Sequence, residues 1–323
     1  MPLSVKPWPS AVKPAMVESS PLPLRAGCAS FCDDMSNPTK PRLRFAPSPN
    51  GYLHLGHAYS ALQNERVARE LGGELLLRIE DIDVERCRKD YENALIEDLN
   101  WLGIQFAGEP RRQSEHFSDY ARALEGLRER GLVYPCFCSR GDIARVVSDA
   151  HDWPRDPDGA PLYPGTCKHL SDDDVAHRLN SGQRAALRIN MEEALSVAGM
   201  RLGWCEFGEG ETPRDVTAEP SLWGDAMIGR RDIPASYHIA VVLDDALQGI
   251  TDVVRGKDLF KSTSLHRLLQ ALLDLDAPNY HHHELLRDPS GEKLSKSARA
   301  KSIRSLRDEG ISAQDIRRQL GFA

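Results

Sequence analysis

A short strand that breaks into a Pro/Gly loop and re-enters as a helix limits what this chain can fold into. The stretch is Arg44-Phe-Ala-Pro-Ser-Pro-Asn-Gly-Tyr-Leu-His-Leu-Gly-His57. Leu43 to Ala46 read as the strand, and Pro47, Pro49 and Gly51 as the loop. A helix opens near Gly56-His57, with Ala58, Leu62 and Leu71 at helical spacing. Gly72-Gly73 then turns the chain into Glu74-Leu-Leu-Leu-Arg-Ile-Glu80, a continuous apolar run of the kind a buried parallel strand requires. Strand, helix, strand is a βαβ unit, so the expected class is α/β with a doubly wound, Rossmann-type parallel sheet. The turn before the helix is a ready anion site, because unpaired N–H groups and the helix dipole point into it. His54 and His57 flank that turn and can donate to phosphate oxygens.

Further along, Tyr91, Leu95, Leu99 and Leu102 form one helix face closed by Gly103. Phe117, Tyr120, Leu124 and Leu127 form another that stops at Gly131. From Tyr134 to about Asp225 the sequence is rich in Asp, Gly and Pro and reads as an inserted α+β domain. Tyr237-His-Ile-Ala-Val-Val-Leu243 resumes the buried-strand pattern, and Gly249 to Arg255 predicts a second strand. Leu265, Leu268, Leu269 and Leu272 are a core helix face. Ser312-Ala-Gln-Asp315 is a capping box for a last helix, Asp315 to Leu320. The expected organisation is a disordered tail over 1–40 and a catalytic sheet in two halves, 41–133 and 225–290. The insert covers 134–224, and a basic loop with terminal helices covers 291–323.

Composition narrows the function classes. The 323 residues carry a net charge of −7, which argues against a broad, sequence-blind grip on DNA or RNA. No apolar run is long enough to span a membrane, and the first residues lack a signal-peptide core, so a cytoplasmic protein is expected. Seven cysteines in such a chain favour a metal site or free thiols over disulfides. Cys136-Phe-Cys138 and Cys167 supply three thiolates that suit tetrahedral zinc, while Cys87 and Cys205 read as lone thiols. Spacing alone leaves the fourth ligand open. His281-His-His283 carries little weight as a metal tract, since alternate histidines on a short strand can face solvent.

Arg44, Arg78 and Glu80 leave their strands at the edge where doubly wound sheets bind ligands, and Tyr237 and Arg255 bracket the later strand pair. Converging arginines suit a dicarboxylate, and one acid suits an ammonium. Asp81 and Asp83 read as structural. Near the other end, Lys293-Leu-Ser-Lys-Ser297 follows the turn Asp288-Pro-Ser-Gly291 and offers a loop with two lysines for a polyphosphate.

The pair His-Leu-Gly-His and Lys-Leu-Ser-Lys-Ser resembles the two signatures of class I aminoacyl-tRNA synthetases. Arg-Phe-Ala-Pro-Ser-Pro and Arg78-Ile-Glu-Asp-Ile-Asp83 resemble the glutamyl branch, from about Arg42 to the C-terminus. The resemblance implies that Arg44, Phe45, Ala46, Pro47 and Ser48 contact glutamate, that Glu80 holds its α-amino group, and that Tyr237 and Arg255 complete the pocket. It implies ATP, accompanied by Mg2+, at His54, Gly56, His57, Lys293 and Lys296, with His54, His57 and Lys296 acting in catalysis. It points to Tyr163 as the fourth ligand of one structural zinc, with His169 as the alternative. Only 26 residues follow Ser297, which leaves no room for the anticodon-reading domains of full-length members. The short paralogues that lack them resemble glutamyl-queuosine tRNA(Asp) synthetases. They activate glutamate without tRNA and transfer it to the queuosine cyclopentenediol of tRNA(Asp). Some of them replace the second histidine that His57 retains. Two other readings stand beside this one: a truncated or discriminating glutamyl-tRNA synthetase charging the 3′ end of tRNA(Glu), and an inactive synthetase-like RNA-binding module.

Overall fold

The computed structural model describes residues 40–148, 151–199, 201–208, 212–286 and 301–322. In chain order the first half holds β1 (Arg42–Phe45), α1 (Leu55–Glu70), β2 (Glu74–Ile79), α2 (Lys89–Trp101), β3 (Arg111–Arg112), α3 (Phe117–Glu129) and β4 (Val133–Cys136). Next come α4 (Arg140–Val147), α5 (Asp172–Asn180), β5 (Ala186–Ile189), α6 (Met191–Ala198), β6 (Gly203–Glu206), β7 (Arg214–Thr217) and β8 (Met227–Gly229). The chain closes with α7 (Tyr237–Leu247), β9 (Asp252–Gly256), α8 (Ser262–Leu272), β10 (Asn279–His283), α9 (Ile303–Asp308) and α10 (Ala313–Gln319).

Seven strands form one sheet in the order β3-β2-β1-β9-β10-β6-β7. All neighbours run parallel except the β6–β7 hairpin. The opening βαβ unit is present as expected, with β1 paired to β2 from Arg42↔Glu74 to Phe45↔Leu77. Helices cover both faces. One core packs α1, α2 and the terminal α9 and α10 against β1 and β2, through residues such as Leu62, Leu99, Ile303 and Ile316. Another core gathers α3, α6, α7 and α8, and the four leucines of the α8 stripe are at most 2% exposed. β4, β5 and β8 make a separate antiparallel sheet. Two strands from within 134–224, β6 and β7, instead extend the large sheet through the β10–β6 pairing.

Two expectations are corrected. Residues Tyr237 to Leu247 are the helix α7 and not a strand. Ile239, Ala240, Val241 and Val242 are all buried, so the helix has no solvent face to print a 3.6-residue period on the sequence, and a short apolar run is ambiguous without one. The three histidines lie on β10 but do not alternate toward solvent. β10 sits between β9 and β6, His282 and His283 are buried, and His281 bonds Asp252 at 3.0 Å. Asp81 and Asp83 are structural, as expected. Asp81 accepts from the Ser114 amide and hydroxyl at 2.8 and 2.6 Å, and Asp83 from the Arg86 guanidinium at 2.8 Å.

Helix α7 is tied to the sheet by two adjacent carboxylates. Neighbouring residues on a helix point about 100° apart, so Asp244 and Asp245 reach different partners. Asp244 accepts from Arg111 Nε at 2.7 Å, Gln113 at 2.8 Å and the Tyr120 hydroxyl at 2.9 Å. Asp245 accepts from Arg44 Nε at 2.9 Å and Arg78 at 2.5 Å. Asp244 is fully buried. Asp244→Ala should therefore lower the unfolding free energy by about 3–5 kcal/mol, because it strands buried donors. Glu125→Ala, which breaks a half-exposed helix pair, should cost less than about 1 kcal/mol. Denaturant midpoints measure both, and equal shifts would contradict the clamp.

Candidate active site

A cavity of about 370 Å³ opens at the carboxyl ends of β1, β9 and β10. It is lined by Arg44, Phe45, Ala46, Pro47 and Ser48 from the end of β1 and the following loop. His54, Gly56 and His57 enter from the start of α1, Glu80 from the end of β2, Tyr237 from α7 and Arg255 from β9. Of the pocket residues expected from the sequence within 44–255, the fold brings together all but Arg78. Lys293 and Lys296 lie outside the described residues. The chain on either side of them borders the pocket: Leu285 and Leu286 line it, and Ser302 forms a β-bridge with His54. Gly256 allows close packing here, since a Cβ would lie 2.5 Å from Asp258 Oδ1 and 2.8 Å from Leu285 Cδ2.

The α1 N-terminus presets both histidines. His54 is the N-cap, and its Nδ1 accepts from the Gly56 amide at 3.1 Å. His57 Nδ1 accepts from the His54 amide at 3.2 Å, which completes a capping box. A neutral imidazole that accepts at Nδ1 carries its proton on Nε2. Both rings, 3.9 Å apart at their centroids, are therefore Nε2–H donors beside the amides of the first helical turn.

The charged groups differ in how they are balanced. Arg44 is buried, and burial alone would weaken its charge, but Asp245 more than offsets this and raises its pKa. Glu80 has the reverse problem. Burial raises its carboxyl, Arg78 and Arg44 only partly counter it, and the group is pushed up to about 7. Arg255 is buried with neutral partners. It donates to His282 Nε2 at 3.1 Å, His266 Nδ1 at 3.2 Å, the Tyr237 hydroxyl at 3.4 Å, Leu259 O at 3.2 Å and Thr263 Oγ1 at 2.7 Å. Among the described residues no carboxylate pairs with it. Burial, followed by the Arg255 charge, holds His266 well below its ordinary range. His282 is lowered to about 4, chiefly by burial. A cation in this setting favours any anion that reaches it.

A second cluster lies in the smaller sheet's neighbourhood. The sulfurs of Cys136, Cys138 and Cys167 all lie within 4.8 Å of one another. Cys138 Sγ is 3.5 Å from Cys167 Sγ and 3.4 Å from the Tyr163 hydroxyl. Tyr163 Oη also accepts from the Cys167 amide at 2.9 Å. Burial works against the Cys167 thiolate. Hydrogen bonds from Tyr163 and the Phe137 amide outweigh it, and the thiol sits below its ordinary value. Three sulfurs with a phenolic oxygen at the fourth corner are a donor set that can hold a tetrahedral metal ion. His169 is not part of the cluster.

Residues 40–321 match the sequence profile of the catalytic domain of class I tRNA synthetases (E and Q). The chain belongs to this family. It is a class I aminoacyl-tRNA synthetase-like ligase with a Rossmann-type sheet. It is 44% identical over 289 residues to a glutamyl-Q tRNA(Asp) synthetase of Rhodobacter capsulatus, covering 86% of this chain and 99% of that one. A glutamyl-Q tRNA(Asp) synthetase of Nitratidesulfovibrio vulgaris is 37% identical, covering 85% and 83% of the two chains. The glutamate–tRNA ligase of Aquifex aeolicus is also 37% identical, but the match covers 56% of its length. Among solved structures, the glutamate tRNA ligase of Elizabethkingia meningosepticum in complex with its amino acid superposes with a TM-score of 0.65. That match is 26% identical and covers 84% of this chain and 54% of the ligase. No helix among the described residues is long and apolar enough to cross a membrane.

Reading the synthetase sequence left out the groups that hold the pocket arginines. Asp245 was legible as one of two carboxylates inside an apolar run, Val241-Val-Leu-Asp-Asp-Ala-Leu247, where a charge must be paired. Arg78, read as a pocket arginine, is instead fully buried beneath the pocket on Asp245 and Gln248. His266 and His282 carried no local signal.

The cysteine cluster yields a metal prediction. Purified protein should carry about one zinc per chain. Cys138→Ser should lose it and destabilise the segment around β4, because metal binding is coupled to folding. Tyr163→Phe should weaken retention against a chelator, and unchanged retention would remove Tyr163 from the ligand set. Metal analysis of protein made with zinc present decides the matter.

Proposed function

We propose that the protein activates glutamate with ATP, without tRNA, and transfers it to the queuosine cyclopentenediol in the anticodon of tRNA(Asp). The observation that carries the first step is the pocket's charge pattern. Arg44 and Arg255 flank a cavity that also holds a carboxyl tuned to about 7, beside two Nε2–H histidines at a helix N-terminus. Two buried cations suit the carboxylates of glutamate, and Glu80 suits its ammonium. Phe45, Ala46, Pro47, Ser48 and Tyr237 shape the remaining wall.

In the activation step a substrate carboxylate oxygen attacks the α-phosphorus, and the bond to the bridging oxygen breaks as pyrophosphate leaves. The protein's contribution is to orient the reactants and to meet the charge that develops on phosphate. His54 and His57 donate from Nε2, and Gly56 lets the backbone approach. Lys296, assisted by Lys293, is assigned to the departing pyrophosphate because both flanks of that segment border the pocket. Mg2+ would enter with ATP, held by phosphate oxygens and water. Zinc at Cys136, Cys138, Tyr163 and Cys167 would be structural. In the second step a ring hydroxyl attacks the activated carbonyl and AMP leaves.

The choice of acceptor is supported by the 44% identity to a protein of that name over 99% of its length. Charging of tRNA(Glu) at its 3′ end is the second reading, supported by the identity to glutamate–tRNA ligases. Labelled glutamate should pass to tRNA from cells that make queuosine and not to tRNA from cells that lack it. Transfer to queuosine-free tRNA, abolished by oxidising the 3′ end, would replace the proposal with the second reading. ATP–pyrophosphate exchange that requires tRNA would remove the tRNA-independent step.

Glu80 gives the pocket a pH dependence with a defined sign. The free carboxyl holds its proton up to about pH 7. An ammonium ligand needs the carboxylate, so binding releases that proton. Glutamate affinity should therefore rise about tenfold per unit as pH climbs toward 7 and level off above it. Glu80→Gln should bind more weakly and flatten the profile. A wild-type profile already flat between pH 5 and 8 would contradict the assignment.

A further inference from the structure

Behind the pocket lies a buried polar chain that the reaction as described does not use. Glu206, at the end of β6, is 3% exposed. It takes three hydrogen bonds: from the His282 amide at 3.0 Å, from His282 Nδ1 at 2.8 Å and from Trp204 Nε1 at 2.9 Å. Burial opposes its charge, but these donors more than compensate and hold it below the usual carboxylate range. Glu206 is therefore an ionised acceptor with no proton to give. His282 is neutral at working pH and has a single ring proton. Facing a carboxylate, that proton must sit on Nδ1. The other ring nitrogen, Nε2, is then a bare lone pair, and it accepts from Arg255 Nε at 3.1 Å. Were the proton on Nε2, two N–H groups would point at each other across the same distance.

We infer that Glu206 is a positioning residue for the candidate glutamate pocket: by fixing the tautomer of His282 it fixes the orientation of the Arg255 guanidinium. This rests on the reading of Arg255 as a glutamate-binding cation. The geometry favours orientation over charge balance. Among the described residues His282 is the only hydrogen-bonded link between Glu206 and Arg255, and Arg255 takes its remaining acceptors from α7, α8 and the turn before α8. The Nε bond is one of five that hold the guanidinium plane, Nη1 and Nη2 making the other four, and a guanidinium grips a carboxylate only in its own plane. The arrangement also gives a role to the β6–β7 hairpin, which leaves the segment of the smaller sheet to join the large one. It delivers a carboxylate to β10, a strand whose own residues include no acid.

The test combines a tautomer measurement with kinetics. Nitrogen-15 spectra of histidine-labelled wild-type protein should show His282 protonated at Nδ1; protonation at Nε2 overturns the inference. Glu206→Gln places an amide N–H against donors. It should raise the glutamate KM in ATP–pyrophosphate exchange by about 10–100-fold, with kcat and the ATP KM changed only a few-fold. A folded Glu206→Gln protein with the wild-type glutamate KM overturns it. If that variant fails to fold, the His282 pair carries the test. His282→Gln can donate to Glu206 and accept from Arg255, and should stay within a few-fold of wild type, whereas His282→Leu should show the raised KM. Equal glutamate KM values for folded forms of those two proteins would overturn the proposal. Arg255→Gln separates the two readings. If it leaves the glutamate KM unchanged, the pocket assignment fails, and the nitrogen-15 result still decides whether Glu206 sets the tautomer.

Discussion

The pairing of Asp245 with Arg44 and Arg78 is the interaction on which the rest of the site depends. One buried carboxylate from α7 holds a guanidinium from each of the two strands of the opening βαβ unit. Removing water from three charges is costly, and attraction repays this only when the geometry is good. Here it is held because the adjacent carboxylate on α7, Asp244, anchors the helix again to β3 and α3. Two arginines share one carboxylate, so the local sum stays positive at the pocket floor. That excess, with Arg255 nearby, leaves positive charge beside the cavity.

Arg255 is stabilised by a different device. Its acceptors are imidazole nitrogens, hydroxyls and a carbonyl, all neutral, and Tyr280 lies beneath it at 5.2 Å. Neutral acceptors satisfy the N–H groups without cancelling the charge. Two histidines, His266 and His282, suit this use because burial and the neighbouring cation keep them unprotonated. Arg44 is thus balanced by a carboxylate, whereas Arg255 is solvated by neutral groups. Glu80 lines the same cavity as a carboxyl that burial pushes up to about 7.

Much of the architecture was legible because it rests on local rules. Gly103 and Gly131 end their helices at positive φ, the αL conformation that a helix stop requires. Ser312 and Asp315 form the capping box that their spacing suggests. The apolar run of β2 is a buried parallel strand. What misled was α7, whose burial on all sides erased the helical period. The three histidines of β10 misled for the same reason. On a central strand covered on both faces, alternation between solvent and core does not exist.

The sequence by itself determined the kind of protein this is. His54-Leu-Gly-His57, the Arg44–Ser48 segment and the Cys-x-Cys pair are short-range patterns, and short-range patterns survive without knowledge of the fold. They named the elements and most of the residues that line the cavity. Only the tertiary structure decided how those residues are charged and aimed. Arg44 meets Asp245 across 201 positions, and His282 meets Glu206 across 76. Separations of that length are closed by sheet order and helix packing, not by local spacing. Whether an arginine is balanced, a carboxyl protonated or an imidazole neutral depends on burial and on neighbours that only the closed fold supplies.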